Sequence, residues 1–182
     1  FVSGNIILVG NNDGVGVLET VGTQGPKQTT EMNDQTIFRI YSMTKPIVSV
    51  ATMNMVEDGL IAIEDPVSKY IPEFAIMNVI DEESGAITAA KNQMTVQDLL
   101  THESGLIYGT FDPQSVLGQQ YLNAGSVRSD ITALELAKTL AALPLRFEPG
   151  TKWHYSRSTD VLGAVIEVAA GKSLDLLLKE RI

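Results

Sequence analysis

The stretch FRIYSMTKPIVSVATMNMVEDGL, residues 38–60, places Ser42 three positions before Lys45, sets Pro46 immediately after it, and runs through apolar residues to Asp58-Gly59. Proline has no amide hydrogen and fits an α-helix only in the first turn, where that donor has no intrahelical partner. The position of Pro46 therefore predicts a helix beginning around Met43, with Ser42 at its N-terminus, and Gly59 as the residue that ends it. Glu57 and Asp58 oppose the helix dipole at that end, so tertiary packing must hold the helix together. Ile47, Val48, Val50, Ala51, Met53, Met55 and Val56 cover most of its circumference, which predicts a buried central helix.

Two readings of Ser42 follow. In one, it is a capping hydroxyl and Lys45 is a snorkelling surface lysine. In the other, Ser42 is a nucleophile and Lys45, on the same helical face, is its proton partner. The positive end of the helix favours an alkoxide or the oxyanion formed when a serine attacks a carbonyl. A solvated lysine is protonated at neutral pH; burial among Tyr41, Met43 and Ile47 would lower its pKa towards that of a base. The residue before a proline also resists helical angles, which strains Lys45. Ser-x-x-Lys spacing alone leaves both readings open. No Gly-x-Ser-x-Gly elbow is present, and no residue requires a Ser-His-Asp triad.

Outward from this stretch, NIILVGNNDGVGVLETVG predicts a hairpin over residues 5–21, with Asp13-Gly14 suited to its turn. Asp65-Pro66 resembles an N-cap followed by proline at the first helical position, opening a short turn stopped by Pro72. Residues 75–92 show no clean period and read as a surface excursion. Thr95 with Asp98, and Thr132 with Glu135, stand at capping-box spacing. The first predicts a helix running into His102, the second one ending before Pro144. Pro149-Gly150 has the order of a type II turn. Ser158 to Asp160 start a helix that Gly171 ends, and Ser173 caps another.

The 182 residues are 44% hydrophobic and 19% charged, enough to bury a substantial core. Thirteen Lys and Arg against 22 Asp and Glu give a formal net charge of -9, which argues against nucleic acid or an anionic membrane as partner. With no cysteine there is no disulfide, thiol nucleophile or thiolate zinc site, and His102 and His154 alone do not make a catalytic metal site. No cofactor is expected. No apolar run reaches the roughly 20 residues of a membrane span. The residues given show no signal peptide, and the compartment stays open between cytoplasm and periplasm or exterior.

Three segments in order, FRIYSMTKPI, LLTHESGLIYG and EPGTKWHYSRSTDVLGAVIEVAAGKSL, resemble the β-lactamase-like serine hydrolases: class C β-lactamases, DD-peptidases and family VIII esterases. The resemblance spans nearly the whole chain. It implies an α+β, β-lactamase/transpeptidase-like fold, here an N-terminal hairpin and lead-in (residues 1–40) plus the nucleophile helix and helical subdomain (41–182). It implies Ser42 as the acylated nucleophile, Lys45 as its proton partner, and Tyr155 of HYSR as the proton relay, the base lying with either of the last two.

Where many relatives have Tyr-x-Asn, this chain has Arg157, read as a carboxylate clamp or a solvated side chain. His102 reads as structural, and Glu103, Trp153 and Tyr108 as pocket-lining. The family's later strands, with its third motif and one oxyanion amide, are expected beyond Ile182, from further chain or a second chain. The implied substrate is a small ester, amide or lactam, with esterase favoured over β-lactamase or DD-peptidase. A catalytically silent binding or scaffold relative, or a fragment needing complementation, is the alternative.

Overall fold

The computed structural model describes residues 2–182, which divide into a first compact unit ending at Tyr41 and a second spanning Ser42–Ile182. In the first, β1 (Gly4–Asn11) pairs antiparallel with β2 (Gly14–Gly22) across a two-residue loop. The pairing shifts by a bulge between Val9 and Gly10. The Asn11 side chain accepts the Asp13 amide at 2.9 Å, an Asx turn that closes the loop, and Gly14 takes the positive φ of 135°. Backbone pairing is what orders this hairpin: Ile7, Leu8, Val9, Val15, Val17, Leu18 and Val21 are all exposed.

The second unit is built on helices. A single turn of 3-10 helix, Tyr41–Met43, leads into α1 (Thr44–Glu57), placing Pro46 in the first turn. Gly59, at φ 71°, follows its C-terminal end in the left-handed conformation that costs glycine nothing. One sequence expectation is corrected here. Val48, Ala51, Thr52 and Met55 are buried, but Val50 and Met53 are exposed, so α1 is covered on one face only. That face packs on α5 (Ser158–Ala170) and α6 (Leu174–Arg181).

Between α1 and α5 the chain makes two turns of 3-10 helix, Val67–Lys69 and Pro72–Ala75. Pro66 precedes the first, one position earlier than its expected place inside it, and Pro72 opens the second as well as stopping the first. The expected excursion at 75–92 carries a small ribbon, β3 (Asn78–Ile80) against β4 (Ile87–Ala89). Strands of three residues are too short to show a period, yet they are anchored. Leu145 donates to Asn78 at 2.7 Å and accepts from Ile80 at 3.0 Å, with Met77 and Ile80 buried.

Two helices start on complete capping boxes: α2 (Val96–Leu100) on Thr95/Asp98 and α4 (Ala133–Ala141) on Thr132/Glu135. The helix α3 (Val116–Asn123) has no such box in its sequence; Ser115 alone caps it, accepting the Gly118 amide at 2.9 Å. α5 is the centre of the core. Val161, Leu162, Ala164, Val165 and Ile166 are fully buried, and α1, α2, α4 and α6 all pack on it. It ends at Gly171, φ 63°. Removing a leucine side chain from such a site costs about 2–5 kcal/mol.

Candidate active site

α1, the turn after α2 and the turn before α5 bring their ends together. Ser42 lies on the 3-10 turn, and Met43, not Ser42, is the N-cap of α1. Met43 makes no side-chain hydrogen bond to the helix end, and among the described residues the partners of the serine hydroxyl are side chains. It accepts from the Tyr155 hydroxyl at 2.7 Å and from the Lys45 ammonium at 3.4 Å. The same ammonium donates to the Tyr108 hydroxyl at 3.0 Å. It also lies 4.9 Å from the centroid of the Tyr155 ring, where the π face attracts a cation. Tyr41, just before the serine, has φ 47°, a left-handed backbone rarely adopted by a bulky residue.

Tyr108 and Tyr155 stack at 5.6 Å between centroids with 25° between their planes. Phe111 closes the group edge-on to Tyr108 at 5.1 Å. The Tyr108 turn owes its path to Gly105, at φ 80°: a Cβ there would come within 2.4 Å of the Phe147 carbonyl oxygen. A side chain at that position would push the segment bearing Tyr108 away from residues 145–147.

His102, the other non-glycine residue with positive φ (60°), sits behind Tyr155, its ring 4.9 Å away and tilted by 39°. Its Nδ1 accepts the Ser156 amide at 3.2 Å, which agrees with a structural imidazole. Burial, and then the charge of Lys45, lowers its pKa, so it is neutral at neutral pH. Behind it three buried hydroxyls form a chain, Ser104 to Ser158 at 2.7 Å and Ser158 to Ser156 at 2.7 Å.

The lowering of Lys45 anticipated from burial is overturned. Burial does pull its pKa down, but hydrogen bonding to Tyr108 and Tyr155 outweighs it, and the pKa lies above the ordinary 10.5. Tyr155 moves the other way, below 10.0, through its bonds to Lys45 and Ser42. Burial raises Tyr108. Two neighbouring phenols are thus driven apart around one ammonium, the pattern that separates acid and base roles.

Of the remaining sequence candidates, Arg157 is turned inward, its Nη1 3.2 Å from the Asp160 carboxylate. Trp153 is 67% exposed and meets His102 edge-on at 6.4 Å. Glu103 takes the Thr101 hydroxyl at 2.9 Å. Sequence reasoning did not single out Phe111, which carries no motif, or Asp160 as a partner of Arg157. The i,i+3 spacing of Arg157 and Asp160 was the available signal for that pair. Among the described residues no cluster of His, Asp and Glu suits a metal ion, and no helix is long and apolar enough to cross a membrane.

This fold and site define a β-lactamase-like protein, and comparison with known proteins agrees. Residues 4–182 match the family model described as Beta-lactamase, and the chain belongs to that family. It is 37% identical over 144 residues to the esterase EstB of Burkholderia gladioli, covering 79% of this chain and 35% of EstB. It is 32% identical over 163 residues to the lovastatin esterase of Penicillium rubens, covering 87% of this chain and 39% of that one. The solved structure of EstCE1, a hydrolase with promiscuous acyltransferase activity, superposes with a TM-score of 0.79 at 28% identity, over 98% of this chain and 45% of that one. The chain therefore spans less than half the length of these relatives.

Proposed function

We propose that this chain carries the nucleophile centre of a serine hydrolase that works through an acyl-enzyme on Ser42, with carboxylic esters as the favoured substrates. The observation that carries the reading is the Ser42 hydroxyl held between the Tyr155 hydroxyl at 2.7 Å and the Lys45 ammonium at 3.4 Å. A capping serine would place its oxygen on a backbone amide instead.

Tyr155, its pKa lowered beside Lys45, first gives up its own proton to solvent and, as the phenolate, takes the Ser42 proton as Oγ attacks the substrate carbonyl. The Lys45 ammonium stabilises the phenolate and keeps its own proton. On collapse of the tetrahedral intermediate, Tyr155 returns the proton to the departing alkoxide, leaving the acyl group on Ser42. Water or another acceptor then attacks the acyl carbonyl with Tyr155 again as base, the bond to Ser42 Oγ breaks, and Tyr155 returns the proton to the departing serine oxygen. The N-terminus of α1 favours the anions formed along this path.

Relatives named as esterases support esters over lactams as the substrates of this site. Amide and lactam hydrolysis, as in β-lactamases and DD-peptidases, is the competing chemistry at the same serine.

A fluorophosphonate probe followed by peptide mass mapping tests the proposal. An adduct on Ser42 that is absent from Ser42→Ala supports it, and turnover of a short-chain nitrophenyl ester ahead of a cephalosporin supports the ester preference. No adduct on Ser42, in this chain or in one extended to the length of its relatives, overturns it. The short coverage of those relatives favours a second reading, in which Ser42 is assembled here but turnover requires further chain. Labelling without ester turnover marks that case.

A further inference from the structure

Arg157 lies two residues past Tyr155, at the N-cap of α5, and the acyl transfer proposed above gives it no task. Its guanidinium carbon stands 4.5 Å from the centroid of the Tyr108 ring. One edge of the guanidinium is occupied by Asp160, at 3.2 Å from Nη1, and the side chain is only 16% exposed. Its Nε is buried without a hydrogen-bond partner. An arginine that receives a substrate carboxylate presents an open fork. Here the fork is partly taken by a carboxylate of the same helix, and the cation lies against the face of a ring.

We propose that Arg157 is a positioning residue: clamped by Asp160, it backs the Tyr108 ring and so holds the Tyr108 hydroxyl on the Lys45 ammonium, fixing that cation beside Tyr155 and Ser42. The inference rests on the reading of Ser42 as nucleophile for its consequence, though not for its geometry. A cation over a phenol face is attracted by the ring quadrupole, and more strongly when desolvated. Asp160 has a second effect. By neutralising Arg157 it keeps a second unpaired positive charge away from Lys45, which would otherwise be repelled from its place. Burial raises the Tyr108 phenol, the Lys45 bond opposes the rise, and Asp160 adds to it, so Tyr108 stays protonated while Tyr155 is the phenol that ionises.

The test is a double-mutant cycle of Arg157→Leu and Tyr108→Phe, read in two ways. The first reading is the rate of Ser42 labelling by a fluorophosphonate across pH. The second is NMR of ring-labelled tyrosine, with the Tyr108 signal assigned by its loss in Tyr108→Phe. Arg157→Leu is expected to slow labelling about tenfold, to move the acid limb of the pH profile towards alkaline pH, and to displace the Tyr108 signal. The double variant is expected to be no slower than the slower single one, and Arg157→Lys to recover part of the rate.

Additive losses in the double variant, or a loss of rate with the acid limb and the Tyr108 signal unmoved, overturn the proposal. Where Arg157→Leu fails to fold, Asp160→Asn releases the clamp and is expected to give the same signature. If Ser42 of the unaltered chain takes no label, the nucleophile reading falls. The Tyr108 signal then decides the position of Arg157 by itself, and an unmoved signal overturns it.

Discussion

Helices α1, α2 and α4 all begin just after a hydroxyl residue, and the hydroxyls have different fates. At α2 and α4 the threonine oxygen accepts the amide three residues on, at 3.2 Å in both, and an acidic side chain closes the box from the other side. At α1 the serine stands one position before the cap, follows a left-handed Tyr41, and bonds to a tyrosine and a lysine. A hydroxyl committed to the backbone stabilises the helix end; one withheld from it is available for chemistry. The difference is one of register, a single residue of offset before the first helical turn.

Substitution at the two kinds of position tests that contrast most sharply. Ser42→Ala is expected to abolish phosphonate labelling, a loss of about a thousandfold or more, while leaving stability within about 0.5 kcal/mol. Denaturant unfolding of the two proteins checks the second half. A stability loss as large as that of a removed cap would show that Ser42 belongs with the threonines.

The next largest effect concerns which group accepts the proton. Tyr155→Phe is expected to slow labelling about a hundredfold or more. With Tyr155 as base, the rate rises with pH through a value below 10.0 and falls only as Lys45 deprotonates above 10.5. With Lys45 as base, the rate would still be rising above 10.5. A pH–rate profile of Ser42 labelling separates the two.

Asp65 is a carboxylate whose bonds serve structure. It accepts the Ala62 amide at 2.9 Å, Lys69 at 2.8 Å and the Tyr70 hydroxyl at 2.5 Å. The bonds to Lys69 and then Tyr70 and Ala62 lower its pKa from 3.8 to about 2. A carboxylate whose folded pKa is depressed stabilises the fold above its unfolded pKa and loses that contribution as pH falls through the folded one. Asp65→Asn is therefore expected to cost about 1–2 kcal/mol near neutral pH, allowing for solvent screening. It should also flatten the fall in stability between pH 3.8 and about 2. Urea unfolding across that range checks it.

What the sequence showed, and what it could not, follows from the range of the interactions. Both capping boxes, the ends of α1 and α5 at Gly59 and Gly171, and the Pro149-Gly150 turn rest on residues within four positions of one another, and all were readable. Ser115 was not, because α3 has glycine at the third helical position where a box would have an acid. The apolar circumference of α1 showed that its surface favours burial but could not show which face its neighbours cover. The hydrogen bond from Lys45 to Tyr108 joins α1 to the turn after α2, and no local spacing encodes it. The direction of the Lys45 pKa had the same origin: Tyr41 and Met43, two of the neighbours expected to bury it, are exposed, and the two phenols that outweigh desolvation arrive from elsewhere in the chain.

The smallest expected effect is the most direct check on the contrast at the helix starts. Thr132 accepts the Glu135 amide at 3.2 Å, and Glu135 returns a bond to the Thr132 amide at 2.8 Å. Thr132→Ala removes one half of this exchange and is expected to destabilise the protein by about 1 kcal/mol, while the rate of Ser42 labelling stays unchanged. Thr132→Ser, which keeps the oxygen, should restore most of that stability. The paired result matters more than either value. Stability moving without labelling at Thr132, and labelling without stability at Ser42, would assign the two hydroxyls to separate tasks. If labelling instead fell with Thr132→Ala, the α4 cap would be coupled to the site through α5, on which α4 packs, and the two tasks would not be separable.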